Sequence, residues 1–376
     1  MYKFSVLIPT RDRLELLKYA IDSVLNQSYE HWEIIVADNF STQDIESYVN
    51  SIGDERIIYT RSNRSLPVTD NWNIANNIAS GDYVIMLGDD DALLPGYFEN
   101  CIKIIEQFNK PNVLHYDAYI YTQPNVDPHN PSGGIYSTKT PGISEPRLLS
   151  TRDKNLYVKS SLDFHYLFRF NMQVFLYSKE FISKLKKYGE FYQGPYPDYY
   201  VANMMMLVAD SFVIIPKELV IIGVTKKSYG YYYHNNIEDK GMEFHNSADY
   251  RNFAPESVRD KLCNISEIDT AALATFAIIP PKFPDRDDLV LNIRAYLKKI
   301  TKRIYKEYDF FTASNIFFKE VFPKVPLSQK YAFLKYALNM YKCNCRLFSG
   351  NKSKMFNSDI EYFDNISEVI HSFEKD

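Results

Sequence analysis

The chain has 376 residues, a formal net charge of −4 at pH 7 and a hydrophobic content of 45%. This length suits two domains, or one large domain with an appendage, and the hydrophobic fraction is sufficient for a sizeable core. A nucleic-acid-binding protein would normally be basic, so the charge argues against that class. No apolar stretch reaches the roughly 20 residues that a membrane-spanning helix needs.

The first residues of the chain and its cysteines indicate the cellular compartment in which we expect the protein. The chain begins directly with a predicted strand, so we expect no signal peptide. The closely spaced pair Cys343 and Cys345 matches no standard zinc site. We therefore expect reduced thiols and a cytoplasmic protein, and the same expectation covers the scattered Cys101 and Cys263.

Strands and helices alternate over the first 87 residues. The predicted strands cover residues 4–8, 33–37, 57–59 and 83–87. The first predicted helix begins at Asp12, which precedes Glu15 at the spacing of a capping box. Further helices are predicted over residues 45–52 and 70–79. This order predicts a parallel sheet with right-handed crossovers.

The fourth predicted strand, Tyr83–Leu87, runs into Gly88 and three consecutive acids, Asp89, Asp90 and Asp91. Its lack of polar alternation is typical of a strand buried on both faces. Three adjacent carboxylates repel one another and raise each other's pKa. A hard divalent cation would remove that repulsion. The alternative is a solvated acidic turn in which one Asp caps the next helix.

Polar side chains also follow the first two strands. Thr10 and Arg11 come after the first strand, and Asp38 comes after the second. Ligands of open α/β sheets bind at the carboxyl ends of the strands, so these groups are expected to converge with the acidic triplet on one crevice. Taken singly, each has a simpler explanation, namely a helix cap, a surface charge and an Asx turn.

The N-terminal segment resembles the family 2 glycosyltransferases of the GT-A fold. The matching stretches are Val6–Arg13, Ser23–Tyr29, Glu33–Asn39, Asn73, Ala79–Tyr83, Asp89–Asp91 and Leu94–Gly96. They follow the order and spacing of the family over roughly residues 3–110. The resemblance implies an α/β fold of the GT-A (Rossmann-like) type, with a mostly parallel sheet flanked by helices.

The same resemblance assigns the donor site. It implies that Asp38 contacts the base of a nucleotide sugar, usually uracil, and that Pro9, Thr10, Arg11 and Asn73 belong to the same nucleotide-sugar site.

The resemblance further implies a Mn²⁺ or Mg²⁺ cofactor. The acidic motif of the family often reads Asp-x-Asp-Asp, and its first position is Gly88 here. We therefore assign the direct metal contact to Asp90, with Asp91 also at the metal, and assign Asp89 to the nucleotide sugar.

Residues 109–224 carry fewer signals. Predicted strands cover residues 113–121 and 172–177, and a helix is predicted over residues 179–187. The stretch up to about residue 150 is rich in Pro, Gly and Asn, which favours a mobile loop over the site or a disordered surface insertion. Two short apolar runs, 212–216 and 219–224, are predicted to form a hairpin.

Asp198 follows two prolines at the predicted start of a helix. Taken alone, it is suited to cap that helix. In the resembled family a carboxylate at this place, often in a Glu-Asp pair, is the catalytic base. Pro197 replaces the first member of the pair, so only Asp198 carries over. Tyr196, Tyr199 and residues 231–233 are candidates for the walls of an acceptor groove.

Two lysines and a histidine complete the candidate site. Lys226 and Lys227 follow a predicted strand and are suited to hold a diphosphate leaving group. His234 is a further candidate metal ligand because some related enzymes have a His in this region. The alternative for His234 is an ordinary surface or core histidine.

The resemblance fades after about residue 246. We expect a catalytic domain over residues 1–246, with a nucleotide-sugar half over 1–110 and an acceptor half over 111–246, and a helical C-terminal appendage over 247–376. A basic amphipathic helix is predicted from apolar residues at Val290, Ile293, Leu297, Ile300 and Ile304. Its expected partners are the catalytic domain, a second copy of the chain in a homo-oligomer, or an anionic membrane surface.

These features predict an inverting, metal-dependent glycosyltransferase. The resemblance implies a nucleotide-diphosphate sugar donor, usually UDP-linked, a glycan or lipid-linked acceptor, and a role in bacterial surface polysaccharide synthesis. The expected location is the cytoplasm, including the cytoplasmic face of the membrane. One alternative is a sugar nucleotidyltransferase, although the glycine-rich loop of that class is missing after the first strand. The other is a non-catalytic module that binds a glycan or a nucleotide.

Overall fold

The computed structural model describes residues 1–127, 131–235, 252–265, 267–347 and 365–373. Its centre is one mixed sheet packed against helices. The strands are β1 (Phe4–Thr10), β2 (Trp32–Asp38), β3 (Ile57–Arg61), β4 (Tyr83–Met86), β5 (Ala92–Leu93), β6 (Val113–Thr122), β7 (Gly134–Thr138), β8 (Arg147–Leu148), β9 (Phe175–Ser178) and β10 (Phe212–Val224).

The described helices lie between these strands and beyond them. They are α1 (Leu14–Leu25), α2 (Ile45–Ile52), α3 (Val68–Ile78), α4 (Tyr97–Gln107), α5 (Thr151–Leu162), α6 (Lys179–Leu185), α7 (Pro197–Val208), α8 (Tyr229–His234), α9 (Glu256–Arg259), α10 (Glu267–Ala277), α11 (Ile293–Glu307), α12 (Phe310–Ile316), α13 (Lys330–Leu347) and α14 (Ile366–Phe373).

The strand order confirms the predicted fold class. Along the sheet the strands lie in the order β3-β2-β1-β4-β9-β6-β10-β5, with β7 on β6 and β8 on β10. The first four strands pair in parallel, as the alternating sequence pattern requires. β9 runs antiparallel to β4 and β6, whereas β10 is parallel to β6. The result is a mixed sheet of the GT-A type whose first four strands are parallel.

The first strand runs past Pro9, where the sequence predicts its end. β1 pairs with β4 only as far as Leu7, whose carbonyl accepts a hydrogen bond from the N–H of Leu87. Pro9 lies two residues further along the strand, so its backbone nitrogen points toward the same neighbouring strand, β4. β4 no longer pairs with β1 at that position. Its missing N–H therefore leaves no gap in the ladder. Thr10 still pairs with Asp38 on the other side.

The first helix is not capped by Asp12, so the predicted capping box is wrong. Asp12 has φ of 54°, and its carboxylate accepts hydrogen bonds from the N–H and hydroxyl of Thr42. The N–H of Leu14 donates instead to the side-chain oxygen of Gln43, at 2.8 Å. A residue distant in sequence thus accepts a hydrogen bond from a backbone N–H at the N-terminus of α1. A local sequence motif cannot reveal such a contact.

The predicted hairpin at residues 212–224 is also wrong. β10 is one strand parallel to β6, with register shifts between Ile215 and Val220. Pro216 lies in this interval and has no N–H to donate to the ladder, so the strand bulges and then resumes pairing.

Two short parts of the Pro- and Gly-rich stretch after residue 122 pair with the sheet. β7 pairs antiparallel with β6, and β8 pairs with β10. The described parts of this stretch therefore extend the sheet, and the expected loop over the site is not found there.

The C-terminal helices share the core of the catalytic part. One continuous apolar core runs from Phe4 to Ala337. α10 contributes Phe276, whose ring stacks on Tyr199 at 5.8 Å. The predicted domain boundary at 246/247 falls outside the described residues, but α10 beyond it belongs to the same core as the sheet.

The amphipathic helix predicted after residue 290 is α11. Its apolar face is buried, including Leu297, Ile300 and Ile304. In the structure that face is covered by the same chain. α11 packs mainly against α12 and α13 and also against α10, and the Tyr296 ring lies 5.5 Å from Phe164 of the catalytic part, measured between centroids. The face is therefore unavailable to a membrane or to a second subunit.

Candidate active site

A cavity of about 520 Å³ opens at the carboxyl ends of β1 and β4. The residues after β1 form one side and the acidic triplet forms the floor. α7 and the segment between α5 and β9 form the other side. The convergence of strand ends predicted from the sequence is thus present for the first and fourth strands.

Asp91 is tied to the protein by both carboxylate oxygens. Oδ1 accepts a hydrogen bond from the N–H of Gly223 at 2.9 Å. Oδ2 accepts one from the N–H of Gly88 at 2.9 Å and one from the Gln173 side chain at 2.6 Å. Burial and the neighbouring Asp90 raise the pKa of Asp91 well above its usual value. Because both oxygens already accept hydrogen bonds from the protein, Asp91 is less available to an ion than its predicted role as a metal ligand requires.

The same contacts explain the glycine at the first motif position. A Cβ atom at Gly88 would lie 2.3 Å from Asp91 Oδ2, so a larger residue does not fit while Asp91 holds this place. Gly223 is equally constrained, since its Cβ would lie 1.9 Å from the carbonyl oxygen of Asp90. Two glycines, Gly88 after β4 and Gly223 in β10, therefore let the backbone close around the acidic triplet.

Asp89 is buried between Thr10 and Arg13. Its carboxylate accepts a hydrogen bond from the Thr10 hydroxyl at 2.8 Å and one from the Arg13 guanidinium at 2.8 Å. Burial raises the pKa of Asp89, while Arg13 lowers it. Asp89 lines the cavity as predicted, but its oxygens already hold β1 and the start of α1 in place.

Asp90 is the acid best placed for an ion. Its Oδ2 accepts a short hydrogen bond from the Ser228 hydroxyl and a longer one, 3.4 Å, from Thr225. Its Oδ1 accepts no hydrogen bond from any described residue. Mg²⁺ is typically held by one or two carboxylates, together with water and substrate phosphates. Asp90 alone fits that role, although the described residues contain no group of three or more His, Cys, Asp or Glu arranged to hold a metal.

The residues predicted for the nucleotide divide into two sets. Pro9, Thr10 and Arg11 line the cavity. Asp38 does not line it, because its side chain has no exposed surface. One Asp38 oxygen accepts the N–H of Ser41 and the other accepts the Tyr59 hydroxyl at 2.8 Å. The carboxylate therefore shapes the loop after β2 and does not face a base.

Asn73 is likewise a structural residue in this arrangement. Its amide nitrogen donates to the carbonyl of Tyr192 at 2.9 Å, and its amide oxygen accepts the Tyr192 N–H at 3.0 Å. It is buried and does not line the cavity. Two other asparagines from this half, Asn39 and Asn71, do line it.

The two lysines predicted to hold the diphosphate are not part of the cavity wall. Lys226 and Lys227 are exposed, and neither lines the cavity. The Lys227 ammonium donates to the carbonyl of Asp12 at 2.8 Å, and the Lys227 carbonyl accepts a short hydrogen bond from Arg13. These contacts attach the loop after β10 to the start of α1. The side chain of His234, at the end of α8, lies outside the described residues.

Asp198 lies in the first turn of α7 and faces the cavity. Tyr196 is the N-cap residue, so Asp198 does not cap the helix as the simpler explanation required. Its Oδ1 accepts the N–H of Tyr199 at 2.9 Å, and it has no ion pair with a described residue. Burial raises the pKa of Asp198 to about 7. A carboxylate with this pKa is suited to accept a proton near neutral pH.

Aromatic side chains form the wall beside Asp198. The Tyr199 ring lies 4.5 Å from Phe170 and 5.3 Å from Tyr196, measured between ring centroids. The Tyr196 hydroxyl donates to the Tyr229 hydroxyl at 2.5 Å. Tyr196 and Tyr199 line the cavity as predicted. Such rings can stack on the apolar faces of sugars while their hydroxyls bind polar groups.

Several cavity residues were missed from the sequence. Arg13 stands at the end of the matching stretch Val6–Arg13 without a role of its own there, and Gln173, Ser228 and Arg169 belong to no sequence pattern. Arg13 follows Arg11 by two residues, and this repetition was the one available signal. The other three come from loops whose approach to the acidic triplet depends on the sheet order.

Comparison with known proteins agrees with this architecture. Residues 5–169 match the family model described as Glycosyl transferase family 2. A GalNAc(5)-diNAcBac-PP-undecaprenol beta-1,3-glucosyltransferase from Campylobacter jejuni is 42% identical over 100 residues, which are 26% of this chain and 32% of the relative. The Escherichia coli UDP-Glc:alpha-D-GlcNAc-diphosphoundecaprenol beta-1,3-glucosyltransferase WfaP is 31% identical over 102 residues, which are 27% of this chain and 41% of the relative.

The chain thus spans less than half the length of these curated relatives. Among solved structures, Staphylococcus aureus TarS residues 1–349 in complex with UDP-GlcNAc has a TM-score of 0.49 at 14% identity. The alignment covers 96% of this chain and 99% of that one, and a likeness at this level supports no conclusion about substrates. The sheet is of the GT-A type. The segment that matches glycosyl transferase family 2 is residues 5–169, which is less than half of the chain.

Proposed function

We propose that this protein is an inverting glycosyltransferase that moves a sugar from a nucleotide-diphosphate sugar to a hydroxyl group of an acceptor. The observation that carries the proposal is that Asp90 and Asp198 line one cavity in different environments. Asp90 lies at the end of β4 with a free oxygen. Asp198 has a raised pKa and lies in an aromatic wall. Two carboxylates separated in this way are suited to different roles in one reaction.

The proposed donor is UDP-linked and the proposed acceptor is a glycan or a lipid-linked glycan of bacterial surface polysaccharide synthesis. The printed names of two relatives support this class. Both are glucosyltransferases with acceptors linked to undecaprenol through a diphosphate, and the name of one specifies UDP-Glc as donor.

The chemistry follows from the positions of the residues. Pro9, Thr10 and Arg11 bind the donor on the β1 side of the cavity. Asp90 would hold Mn²⁺ or Mg²⁺, which offsets the negative charge on the departing diphosphate. Asp198 accepts the proton of the acceptor hydroxyl as that oxygen bonds to the anomeric carbon. The bond to the diphosphate breaks on the opposite face, so the nucleotide leaves with the electron pair and the configuration inverts.

We also propose that the C-terminal helices hold the protein against the anionic cytoplasmic face of a membrane. Between residues 290 and 347 the sequence has 12 Lys and Arg but only three Asp and Glu, although the whole chain has a net charge of −4. Large apolar side chains are exposed in the same region, with Phe311 at 83%, Leu327 at 85% and Tyr331 at 80% exposure. Basic groups beside exposed aromatic and aliphatic groups favour binding to anionic lipid headgroups.

This contact differs from the one predicted from the sequence, since the apolar face of α11 is buried. Among the helices of the described residues, none has the length and hydropathy to cross a bilayer. Association through exposed side chains would place the cavity near a lipid-linked acceptor without a spanning segment.

The enzymatic proposal is tested by incubating the protein with a panel of UDP-sugars and Mn²⁺. Slow release of free UDP is the expected result, because glycosyltransferases transfer the donor sugar to water when no acceptor is present. Exchange of pyrophosphate into the donor would indicate a nucleotidyltransferase instead. Binding of UDP without turnover of any donor, also with membrane-derived acceptors, would indicate a non-catalytic module.

A further inference from the structure

Arg169 lines the cavity on the side opposite the nucleotide residues. It lies in the segment between α5 and β9, flanked by Phe168 and Phe170, which also line the cavity. β9 lies between β4 and β6 in the sheet. The electrostatic neighbours of Arg169 are Asp117 on β6 and Tyr136 on β7. The strand that follows Arg169, β9, is therefore separated from β1 by β4.

The two arginines Arg13 and Arg169 of the cavity differ in whether a carboxylate of the protein pairs with them. Arg13 forms an ion pair of 2.8 Å with Asp89 and lies 3.6 Å from Asp90. Arg169 is half-buried, and it makes no hydrogen bond or ion pair with any residue in the part of the chain that the structure describes. Burial lowers the pKa of Arg169, and the more distant Tyr136 and Asp117 oppose that effect. A partly desolvated guanidinium without a bonded anion is the arrangement that an incoming phosphate can complete.

Neither of the nearest ionisable groups on β6 supplies that anion. One oxygen of Asp117 accepts hydrogen bonds from the N–H and the hydroxyl of Thr140, and the carboxylate lies beyond ion-pair distance of Arg169. His115 is fully buried, and burial lowers its pKa to about 3, so the ring is neutral. The positive charge of Arg169 is thus left for a ligand in the cavity.

We propose that Arg169 binds the phosphate or diphosphate group of a lipid-linked acceptor. The inference rests on the proposed transferase function and identifies the acceptor by its charge. The guanidinium would bind two phosphate oxygens in its planar fork, while the rings of Phe168, Phe170 and Tyr199 pack against the adjoining sugar. This arrangement places the acceptor on the Asp198 side of the cavity, with the donor on the β1 side.

The test separates an acceptor site from a donor site. With UDP at saturation, binding of geranyl diphosphate, a short prenyl diphosphate, is measured by calorimetry for the parent, Arg169→Gln and Arg169→Lys. Arg152→Gln is the matched control, because Arg152 is exposed on α5 and does not line the cavity. UDP affinity and the melting temperature of each variant are measured in parallel.

The proposal predicts that the parent and Arg152→Gln bind geranyl diphosphate in the presence of UDP. Arg169→Gln should bind it at least about tenfold more weakly, with Arg169→Lys intermediate, because an ammonium keeps the charge but not the fork. UDP affinity should stay the same in all of them. Equal binding of geranyl diphosphate by parent and Arg169→Gln would overturn the proposal, as would no binding by the parent. A matching loss of UDP affinity would also overturn it, since Arg169 would then contact the donor. Failure of UDP to bind the parent would instead count against the transferase function.

Discussion

The guanidinium of Arg13 lies 2.8 Å from a carboxylate oxygen of Asp89, and both side chains are almost completely buried, with exposures of 7% and 5%. The same guanidinium lies 3.6 Å from Asp90. One cation therefore compensates two of the three consecutive acids before any ion or substrate binds. A buried strand can end in three consecutive carboxylates here partly because the guanidinium of Arg13 offsets their negative charge.

We expect Arg13→Gln to destabilise the fold. Removing one partner of a buried ion pair leaves the other charge buried without compensation, which typically costs about 3–5 kcal/mol. Arg13→Lys should lose less stability than Arg13→Gln, because it keeps the positive charge. Some loss should remain, since an ammonium group cannot contact both Asp89 and the Lys227 carbonyl. Urea unfolding of the three proteins measures the difference. A Gln variant as stable as the parent would show that Arg13 and Asp89 do not interact as described.

Asp90→Asn should reduce turnover without changing stability, whereas Asp91→Asn should reduce stability. Asp90 keeps one oxygen free, so its Asn variant should fold normally but lose donor turnover and its dependence on Mn²⁺ or Mg²⁺. Asp91 accepts hydrogen bonds at both oxygens from Gly223, Gly88 and Gln173. An Asn there turns an NH₂ group toward a donor, and a buried unsatisfied group costs about 1–3 kcal/mol. Melting temperature and UDP release, each with and without a chelator, distinguish the two. Full turnover of the parent in the chelator would remove the metal from the mechanism.

Asp198→Asn should slow transfer to the acceptor by at least about a hundredfold, since a general base contributes roughly 10²–10⁴-fold in rate. Donor affinity should change little, and the melting temperature should not fall, because Tyr196 and not Asp198 occupies the N-cap of α7 and an Asn side chain brings no buried charge. The rate of transfer to acceptor is the quantity to measure, as donor hydrolysis needs no proton from an acceptor. Glu190→Gln is a suitable control, since Glu190 is exposed and does not line the cavity. Near-parental transfer by the Asn variant would place the base elsewhere.

The raised pKa of Asp198 predicts a pH dependence of both rate and stability. A base must be unprotonated, so kcat/KM should rise with pH and level off above about 7, following the pKa of this group. The pKa is higher in the folded protein than its usual 3.8, so the folded state binds more protons between these values. The contribution of Asp198 to stability is therefore most favourable below pH 3.8 and is lost as the pH rises to about 7.

The stability of Asp198→Asn relative to the parent should consequently increase between pH 4 and pH 8. Thermal unfolding of both proteins at several pH values measures this difference. A constant difference would show that the pKa of Asp198 does not change on folding.

The exposed C-terminal side chains should control binding to vesicles. We expect Phe311→Ser, Leu327→Ser and Tyr331→Ser together to weaken binding to phosphatidylglycerol-containing liposomes strongly. The control carries Leu148→Ser and Leu156→Ser, two exposed leucines outside the C-terminal helices. Binding of the parent should fall with added salt because it depends on lysines and arginines. If the parent stays in solution with the liposomes but forms dimers that the triple variant does not, these side chains serve an interface between two copies.

Some features of this protein are determined by local sequence. The alternation of apolar runs with helical patterns fixed the first four strands and the helices between them, because each element buries a face that its own spacing defines. The family resemblance also named the acidic triplet and Asp198, which line the cavity. The family match over residues 5–169 bears out that resemblance.

Tertiary structure decided which of these polar groups face the cavity. Asp38 and Asn73 have the right residue types, but Ser41, Tyr59 and Tyr192 use their hydrogen-bonding groups. The pairing of Arg13 with Asp89 joins residues 76 positions apart, and the position of Arg169 depends on β9 inserting between β4 and β6. Hydrogen bonds and charge compensation act over a few ångströms of space, whereas sequence patterns report only neighbours along the chain. A local motif can therefore supply a carboxylate, but only the packed sheet determines whether its oxygens are left for a ligand.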